Sequence, residues 1–157
     1  MTAMERLTGL GLTLPPVPEP RGTFAPWVQT GSLLFLSGAI GTQYADGQWS
    51  LPFKGKVGTD LDIETAKASA RLCALNHLAA IEAAAGFDRV EQVVKLSGHV
   101  YCGSDFTKGP LVLDGASELL LEIFGETIGH HARLCTYVHT MSFHAPIETD
   151  LIVALRF

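Results

Sequence analysis

The sequence has few of the residues on which several classes of protein depend. It contains three cysteines in 157 residues, and none of them forms a CxxC pair. An odd and widely spaced set argues against a disulfide framework and against a zinc ribbon. Only 17% of the residues are charged, and the formal net charge is −5. This acidic balance, without a cluster of lysine and arginine, argues against nucleic acid as a partner.

Long apolar runs are also missing. No run approaches the length of about 18 residues that a membrane span needs, and residues 1–14 lack the basic and apolar segments of a secretory signal. We therefore expect a cytoplasmic protein with no membrane partner. Apolar residues still make up 47% of the chain. That is enough for one sizeable core, with further apolar surface to bury against copies of the same chain.

The first 22 residues are predicted to form an extended arm. Four prolines between Pro15 and Pro20 remove backbone donors and fix extended dihedrals, so this segment can be neither a helix nor a central strand. Residues 23–157 are then expected to form a single domain.

Hydrophobic periodicity predicts strands and two long helices in that domain. The predicted strands cover residues 24–29, 33–38, 90–101, 132–141 and 147–155. A long polar loop is expected over residues 41–58. The first helix is expected to begin at Thr59 or Asp60 and to end at Gly86, and the second covers residues 113–124. The expected order is ββαββαββ or close to it, an α+β fold with the sheet on one side and the helices on the other.

The last two predicted strands carry polar residues that indicate a site. Side chains alternate between the faces of a strand, so Arg133, Cys135 and Tyr137 share one face of the first strand. Glu148 and Asp150 share one face of the second. Arginine is always charged, and its planar fork can bind a carboxylate through two hydrogen bonds. This combination predicts a site for a small anion.

These strands are also expected to pair as a hairpin that turns near His144. In that register Arg133 lies opposite Leu155 and Glu148 lies near Thr140, so Arg133 and Glu148 are on the order of 20 Å apart in one chain. They can share a pocket only if two chains build it. One predicted sheet face is too polar for a core and too apolar to face open water, which also favours association of chains. Its residues are Lys95, Ser97, His99, Arg133 and Tyr137.

Six segments in order carry a resemblance to a known family: Ala25–Gln29, Leu36–Gly38, Gly58–Leu61, Val93–Leu96, Ala132–Cys135 and Ile147–Glu148. From about Phe24 to Phe157 the chain resembles the Rid family, the reactive-intermediate (enamine/imine) deaminases, also called YjgF or endoribonuclease L-PSP proteins. The resemblance implies a chorismate-mutase-like fold, with a mixed sheet carrying two helices on one face. It also implies a homotrimer with sites between subunits, and hydrolysis of enamines or imines to 2-keto acids and ammonia without a cofactor.

The resemblance assigns roles to individual residues. Arg133 matches the arginine that binds the substrate carboxylate, and Cys135 matches the thiol two residues later. Glu148 matches the acid that positions or activates water, so Arg133 and Glu148 are the predicted catalytic pair. Ser37 and Gly38 match the turn that lines the pocket.

Three positions depart from the family pattern. Trp27 stands where deaminating members often have a tyrosine, and Ser117 stands where they often have an asparagine. Met141–Ser142 replaces an expected Leu-Pro pair. Trp27 and Ser117 are nevertheless predicted to bind substrate, and core packing is the alternative interpretation for Trp27.

Other functions remain open from the sequence. Arg133 can instead form a structural ion pair with Glu148 or Asp150 of a neighbouring chain, and Cys135 is expected to line a pocket rather than act as a nucleophile. A non-catalytic trimer that binds small carboxylates is therefore the alternative to a deaminase. An RNA-cleaving protein is a third class, which the acidic charge disfavours.

The histidines do not predict a metal site. His130 and His131 are adjacent and point to opposite faces of a strand, and no third ligand has useful spacing. They are expected in a loop or an interface. The remaining histidines are interpreted as surface or interface groups: His77, His99, His139 and His144.

Overall fold

The computed structural model describes residues 1–157 and has the predicted α+β, chorismate-mutase-like architecture. Its helices are α1 (Ala3–Gly9), α2 (Ile63–Ala84) and α3 (Gly109–Gly129). Its strands are β1 (Trp27–Thr30), β2 (Leu33–Ile40), β3 (Gln43–Ala45), β4 (Gln48–Ser50), β5 (Val90–Tyr101), β6 (Ala132–Val138) and β7 (Ile147–Leu155). A single strand, β5, separates the two long helices, in agreement with the predicted strand 90–101, whereas the expected order ββαββαββ has two strands there.

Five of the strands form one mixed sheet in the order β1-β2-β7-β5-β6. β6 runs parallel to β5, and the other neighbours are antiparallel. Alternate residues of β7 are buried from Ile147 to Leu155, and α2 and α3 cover that face. The core therefore lies between the sheet and these two helices, as the periodicity predicts.

The predicted hairpin of the last two strands is wrong. β5 lies between β6 and β7 and pairs with both of them, so Arg133 aligns with Leu96 and Glu148 aligns with His99. The positions of Arg133 and Glu148 are thus three residues apart along the sheet and two strands apart across it. At about 3.3 Å per residue and about 4.8 Å per strand, their Cα atoms are about 14 Å apart.

The predicted sheet face also needs correction. Leu96, the partner of Arg133, is buried beneath the helices, whereas His99 hydrogen-bonds Thr136 on the opposite face. Arg133 and Tyr137 therefore lie on the helix side, and Lys95, Ser97 and His99 lie on the open side. The open side also carries apolar side chains that are exposed in the single chain: Val28, Leu33, Phe35 and Leu134.

The helix boundaries differ from the predicted ones for local reasons. α2 begins after Asp62, whose carboxylate accepts the backbone N–H of Thr65 at 2.8 Å, rather than after Thr59 or Asp60. α3 begins four residues before the predicted start, because Pro110 is compatible with a first turn, in which its missing N–H costs nothing. Helical structure also resumes after Gly125, whose φ of 77° kinks the helix without ending it.

The arm is not extended throughout. Residues 3–9 form α1, which has a capping box in which Thr2 and Glu5 each bind the other's backbone N–H. Leu7 of this helix is buried in the core. Residues 12–20, which contain the prolines, have neither helix nor strand, as expected. The predicted long loop over residues 41–58 contains the short β3–β4 hairpin.

Close packing between α2 and α3 fixes the position of α3. At Gly115 an added Cβ would overlap the backbone carbonyl oxygen of Lys67, so only glycine permits this approach. Two ion pairs of 2.8 Å flank the contact, from Lys67 to Glu118 and from Arg71 to Glu122. The opposite side of α3 is thereby held against β6.

Candidate functional site

The side chain of Arg133 lies between β6 and the first turns of α3. Its Nη1 donates to Asp114 Oδ1 at 2.7 Å and to Ser117 Oγ at 3.1 Å, and its Nη2 donates to the carbonyl oxygen of Pro110 at 3.3 Å. The side chain remains 26% exposed. A guanidinium has five N–H donors, so two remain, on Nε and Nη2. These adjacent nitrogens can bind an incoming carboxylate through two hydrogen bonds.

His131 connects this arginine to the end of α3. Its Nδ1 lies 2.6 Å from the carbonyl oxygen of Gly129, and its Nε2 lies 2.9 Å from Ser117 Oγ. A carbonyl oxygen only accepts, so the proton is on Nδ1 and Nε2 accepts the hydroxyl of Ser117. Burial lowers the pKa of His131, which favours this neutral form. The serine is thereby oriented to accept from Arg133.

Cys135 lies beside the arginine on the same face of β6. An added Cβ at Gly109 would be 2.7 Å from its sulfur, so the thiol sits closely against the start of α3. Burial raises the pKa of the Cys135 thiol, and the nearby Arg133 only partly opposes this. A protonated thiol lines the site rather than attacking a substrate. We call the group Asp114, Ser117, His131, Arg133 and Cys135 the arginine cleft.

A cavity of about 290 Å³ lies at the other end of the sheet. β1 pairs with β2 only from Leu33 to Leu36, and a β-bulge shifts the register between Leu36 and Ala39. The edge of β2 is therefore open beyond Ser37, whose N–H still donates to the carbonyl oxygen of Pro26. Residues 17–21 of the arm, α2 and Glu148 of β7 also line the space, which we call the bulge cavity.

The bulge cavity contains three of the predicted site residues. Ser37 donates its hydroxyl to the carbonyl oxygen of Ala25 at 2.6 Å, which ties the start of β1 to the bulge. The carboxylate of Glu148 lies directly against Gly38, where an added Cβ would overlap it. Glycine at this position therefore allows the carboxylate to reach the cavity.

The predicted residues thus form two groups within one chain. Arg133, Cys135 and Ser117 lie together in the arginine cleft, and Ser37, Gly38 and Glu148 lie together in the bulge cavity. Arg133 and Glu148 project from opposite faces of the sheet. Trp27 belongs to neither group, because its side chain packs against the core.

Three polar residues that the sequence interpretation missed lie in these groups. Asp114 binds Arg133, and its spacing of three from Ser117 on a helix was an available signal. His131 is two residues before Arg133 and so shares its side of the chain. His77 was interpreted as a surface or interface group, which is wrong: it is 2% exposed within the single chain, and it lies four residues after the buried Cys73 on the apolar stripe of α2.

The structure shows no group of three or more histidine, cysteine, aspartate or glutamate side chains that could hold a metal ion. None of the three helices combines the length and apolar composition that crossing a membrane requires.

Comparisons with known proteins agree with the fold. Residues 4–153 match the family model described as YjgF/chorismate_mutase-like, putative endoribonuclease. The chain is 36% identical over 151 residues to Protein TCP17 of Trypanosoma cruzi, an alignment that covers 96% of this chain and 92% of the relative.

Two solved structures are similar over almost their whole length. The crystal structure of a putative endoribonuclease from Shewanella oneidensis MR-1 is 33% identical, with a TM-score of 0.90 over 99% of this chain and 100% of that one. A protein of unknown function from Agrobacterium tumefaciens is 34% identical, with a TM-score of 0.87 over 98% and 92% of the two chains. The chain therefore belongs to the YjgF/chorismate mutase-like family.

Proposed function

We propose that the protein hydrolyses enamines or imines derived from amino acids to 2-keto acids and ammonia. The proposal rests on the hydrogen bonds of Arg133. Three protein acceptors hold its guanidinium in place, and two adjacent N–H groups remain for a ligand carboxylate. Such a clamp orients a small acid without transferring protons, which is the role expected of a substrate anchor.

Glu148 supplies the complementary chemistry. Its carboxylate accepts a proton from water, and the water oxygen attacks the electrophilic imine carbon. The imine nitrogen takes up that proton, which gives a neutral carbinolamine. Glu148 then moves the hydroxyl proton to the nitrogen, the C–N bond breaks as the C=O bond forms, and the keto acid and ammonia leave. Because an imine is already electrophilic, positioning the water and the carboxylate supplies much of the catalysis.

The active site is proposed to form between two chains of a homotrimer. Arg133 and Glu148 lie on opposite faces of one sheet, so one chain alone cannot place both against the same small ligand. The apolar side chains on the open side of the sheet support association, because large exposed apolar side chains are buried at a favourable free energy when chains associate. An arginine cleft of one subunit would then face the bulge cavity of the next.

A non-catalytic trimer that binds small carboxylates is the second candidate. The ion pair between Arg133 and Asp114 favours it, because the aspartate neutralises the anchor and has the geometry of a purely structural contact. RNA cleavage, which the names of some relatives suggest, has less support, since the chain carries a net charge of −5.

Ammonia release from freshly generated 2-iminopropionate tests the proposal directly. We expect turnover above the uncatalysed rate in the deaminase, and none in a pure binder. Both candidates predict that pyruvate, 2-oxobutyrate or a bulkier acid such as phenylpyruvate raises the melting temperature, because a ligand at a hundredfold its Kd stabilises the native state by about 2.7 kcal/mol. The matching amides should have no effect. Failure of every acid in a trimeric protein would contradict both candidates.

Asp114→Asn should tighten the binding of keto acids. The change keeps an oxygen acceptor for Nη1 but removes a negative charge close to the ligand carboxylate. Two unit charges about 4 Å apart repel by about 1 kcal/mol at the dielectric constant of water, so Kd should fall by up to about fivefold. Titration calorimetry with pyruvate measures the effect.

Glu118→Gln is the matched control for Asp114→Asn. It removes one negative charge from the same helix, where the partner is Lys67 rather than Arg133. We expect no change in Kd from this control. Weaker binding by Asp114→Asn would show that the aspartate holds Arg133 in its competent position, and would contradict the electrostatic argument.

A further inference from the structure

The bulge cavity contains acceptors that no protein donor satisfies. His77 is buried in its wall, with Nε2 at 3.2 Å from the carbonyl oxygen of Thr149 and at 2.9 Å from its hydroxyl. A carbonyl oxygen accepts only, so the ring proton is on Nε2, and Nδ1 carries a free lone pair. Burial lowers the pKa of His77 to about 4, so the ring stays neutral at pH 7.

Asn76, the preceding residue of α2, adds a second acceptor. Its amide nitrogen donates to the carbonyl oxygens of Ile40 and Thr42 at 3.2 and 3.1 Å, and it lies 3.0 Å from the Thr42 hydroxyl. These contacts fix which end of the amide is the nitrogen. The amide oxygen has no protein donor, although the residue is 2% exposed and lines the cavity.

The charges around the cavity also favour a positively charged ligand. Two carboxylates line it, Glu19 and Glu148, against one cation, Arg21. The guanidinium carbon of Arg21 lies 5.0 Å from the ring centroid of Phe143, so this cation is engaged by an aromatic face. Neither carboxylate makes an ion pair within the chain.

The apolar part of the lining sets the size of the ligand. Phe24, Phe143 and three prolines of residues 18–26 form much of the wall. Phe143 has a φ of 59°, a conformation that is strained for a bulky side chain and that persists only where the surrounding fold imposes it. At about 290 Å³ the space is near the lower limit for small-molecule pockets, which suits one ring or a short alkyl chain.

We propose that the bulge cavity is a binding site for a small protonated amine with an apolar body. The ammonium donates to the Glu148 carboxylate and to the free acceptors of His77 and Asn76, and the body lies against the aromatic and prolyl walls. This site lies within one chain and requires neither Arg133 nor turnover. The site shares Glu148 with the proposed deaminase, but failure of the deaminase would leave the amine site standing, since amine binding needs no turnover.

Calorimetric titration of the full-length native protein with three ligands of one shape tests the proposal. Benzylamine should bind, benzyl alcohol should bind about tenfold more weakly because it lacks the charge, and benzoate should not bind in this cavity. Equal affinity for the amine and the alcohol, or no binding of the amine, would overturn the proposal. A preference for benzoate that survives Arg133→Ala would also overturn it, with Arg21 as the anchor.

Two variants identify the site. Glu148→Gln keeps the side-chain shape and should weaken benzylamine about tenfold, whereas Asp150→Asn removes a neighbouring carboxylate on the same face of β7, outside the cavity, and should have no effect. Equal effects of the two changes would show only a general charge effect and would refute the site. His77→Gln, with folding verified by circular dichroism, should also weaken the amine but not benzyl alcohol.

Arg133→Ala separates this proposal from the deaminase. It should not weaken benzylamine binding, because Glu148 and the free acceptors of His77 and Asn76 remain in place, while it removes the response to keto acids. Loss of benzylamine binding in Arg133→Ala would place the amine in the arginine cleft and would overturn the proposal.

Discussion

Arg133→Ala should reduce ammonia release to the uncatalysed rate and abolish the rise in melting temperature with keto acids. The change removes the two free N–H groups and leaves the ligand carboxylate without a partner. Truncating one member of such a pair costs about 2–5 kcal/mol, so Kd should rise at least about thirtyfold. Arg133→Lys should rescue poorly, because an ammonium keeps the charge but lacks the planar fork.

Arg71→Ala is the matched control for this result. Arg71 also forms a 2.8 Å ion pair with an acidic residue of α3, and its side chain is 35% exposed against 26% for Arg133. We expect a small change in stability and full turnover in this control. If Arg133→Ala retained turnover close to that of the unmodified protein, the assignment of the carboxylate anchor would be wrong.

Mixing two inactive variants should restore activity. In a cyclic trimer each site joins the arginine cleft of one subunit to Glu148 of the next, because the contacting surfaces of neighbouring subunits are different. Arg133→Ala and Glu148→Gln should each lack turnover. After equal amounts are unfolded and refolded together, a site is intact only where an unmodified Arg133 meets an unmodified Glu148. Random assembly should therefore recover about a quarter of the original activity.

Light scattering and simple mixing are the controls for this complementation. The refolded sample should have three times the chain mass of 16.8 kDa. Mixing the two variants without unfolding should recover activity only as fast as subunits exchange. A stable monomer, or a refolded mixture with no more activity than its components, would refute the shared site.

The sequence predicts local structure well wherever one face of an element is buried. β5 has the predicted limits of 90–101, because buried and polar residues alternate along most of its length. α2 ends at Ala84, two residues before Gly86, and shows the expected apolar stripe. The short α1 was missed, since seven residues give too little periodicity, although Thr2 and Glu5 have the spacing of a capping box.

Strand pairing was less predictable than the strands themselves. β6 and β7 are neighbours in the chain, and a hairpin was the simplest connection between them. The alternation of polar and apolar residues shows that Arg133 and Leu134 point to opposite faces of β6. It does not specify which strand pairs with β6, so the position of β5 between β6 and β7 could not be deduced. The prediction that Arg133 and Glu148 lie far apart in one chain rested on a wrong register, but their separation remains.

The candidate site was predictable only in part for the same reason. Arg133 and Glu148 are conspicuous because charged residues are uncommon in otherwise apolar strands. Asp114 and His131 become relevant only when α3 is placed against β6, which depends on the approach of Gly115 to Lys67. His77 cannot be distinguished from other helix residues in the sequence, because its hydrogen bond to Thr149 depends on the packing of α2 against β7.

The position of β7 has a consequence for how the chain folds during synthesis. It is the last of the seven strands to leave the ribosome, and it lies in the middle of the sheet, between β2 and β5. Until it emerges, β1–β2 and β5–β6 are two separate ribbons with unpaired inner edges, which are prone to pair with other chains. The nascent protein therefore depends on its final strand to join its two halves, and it is most exposed to aggregation just before translation of that strand is complete.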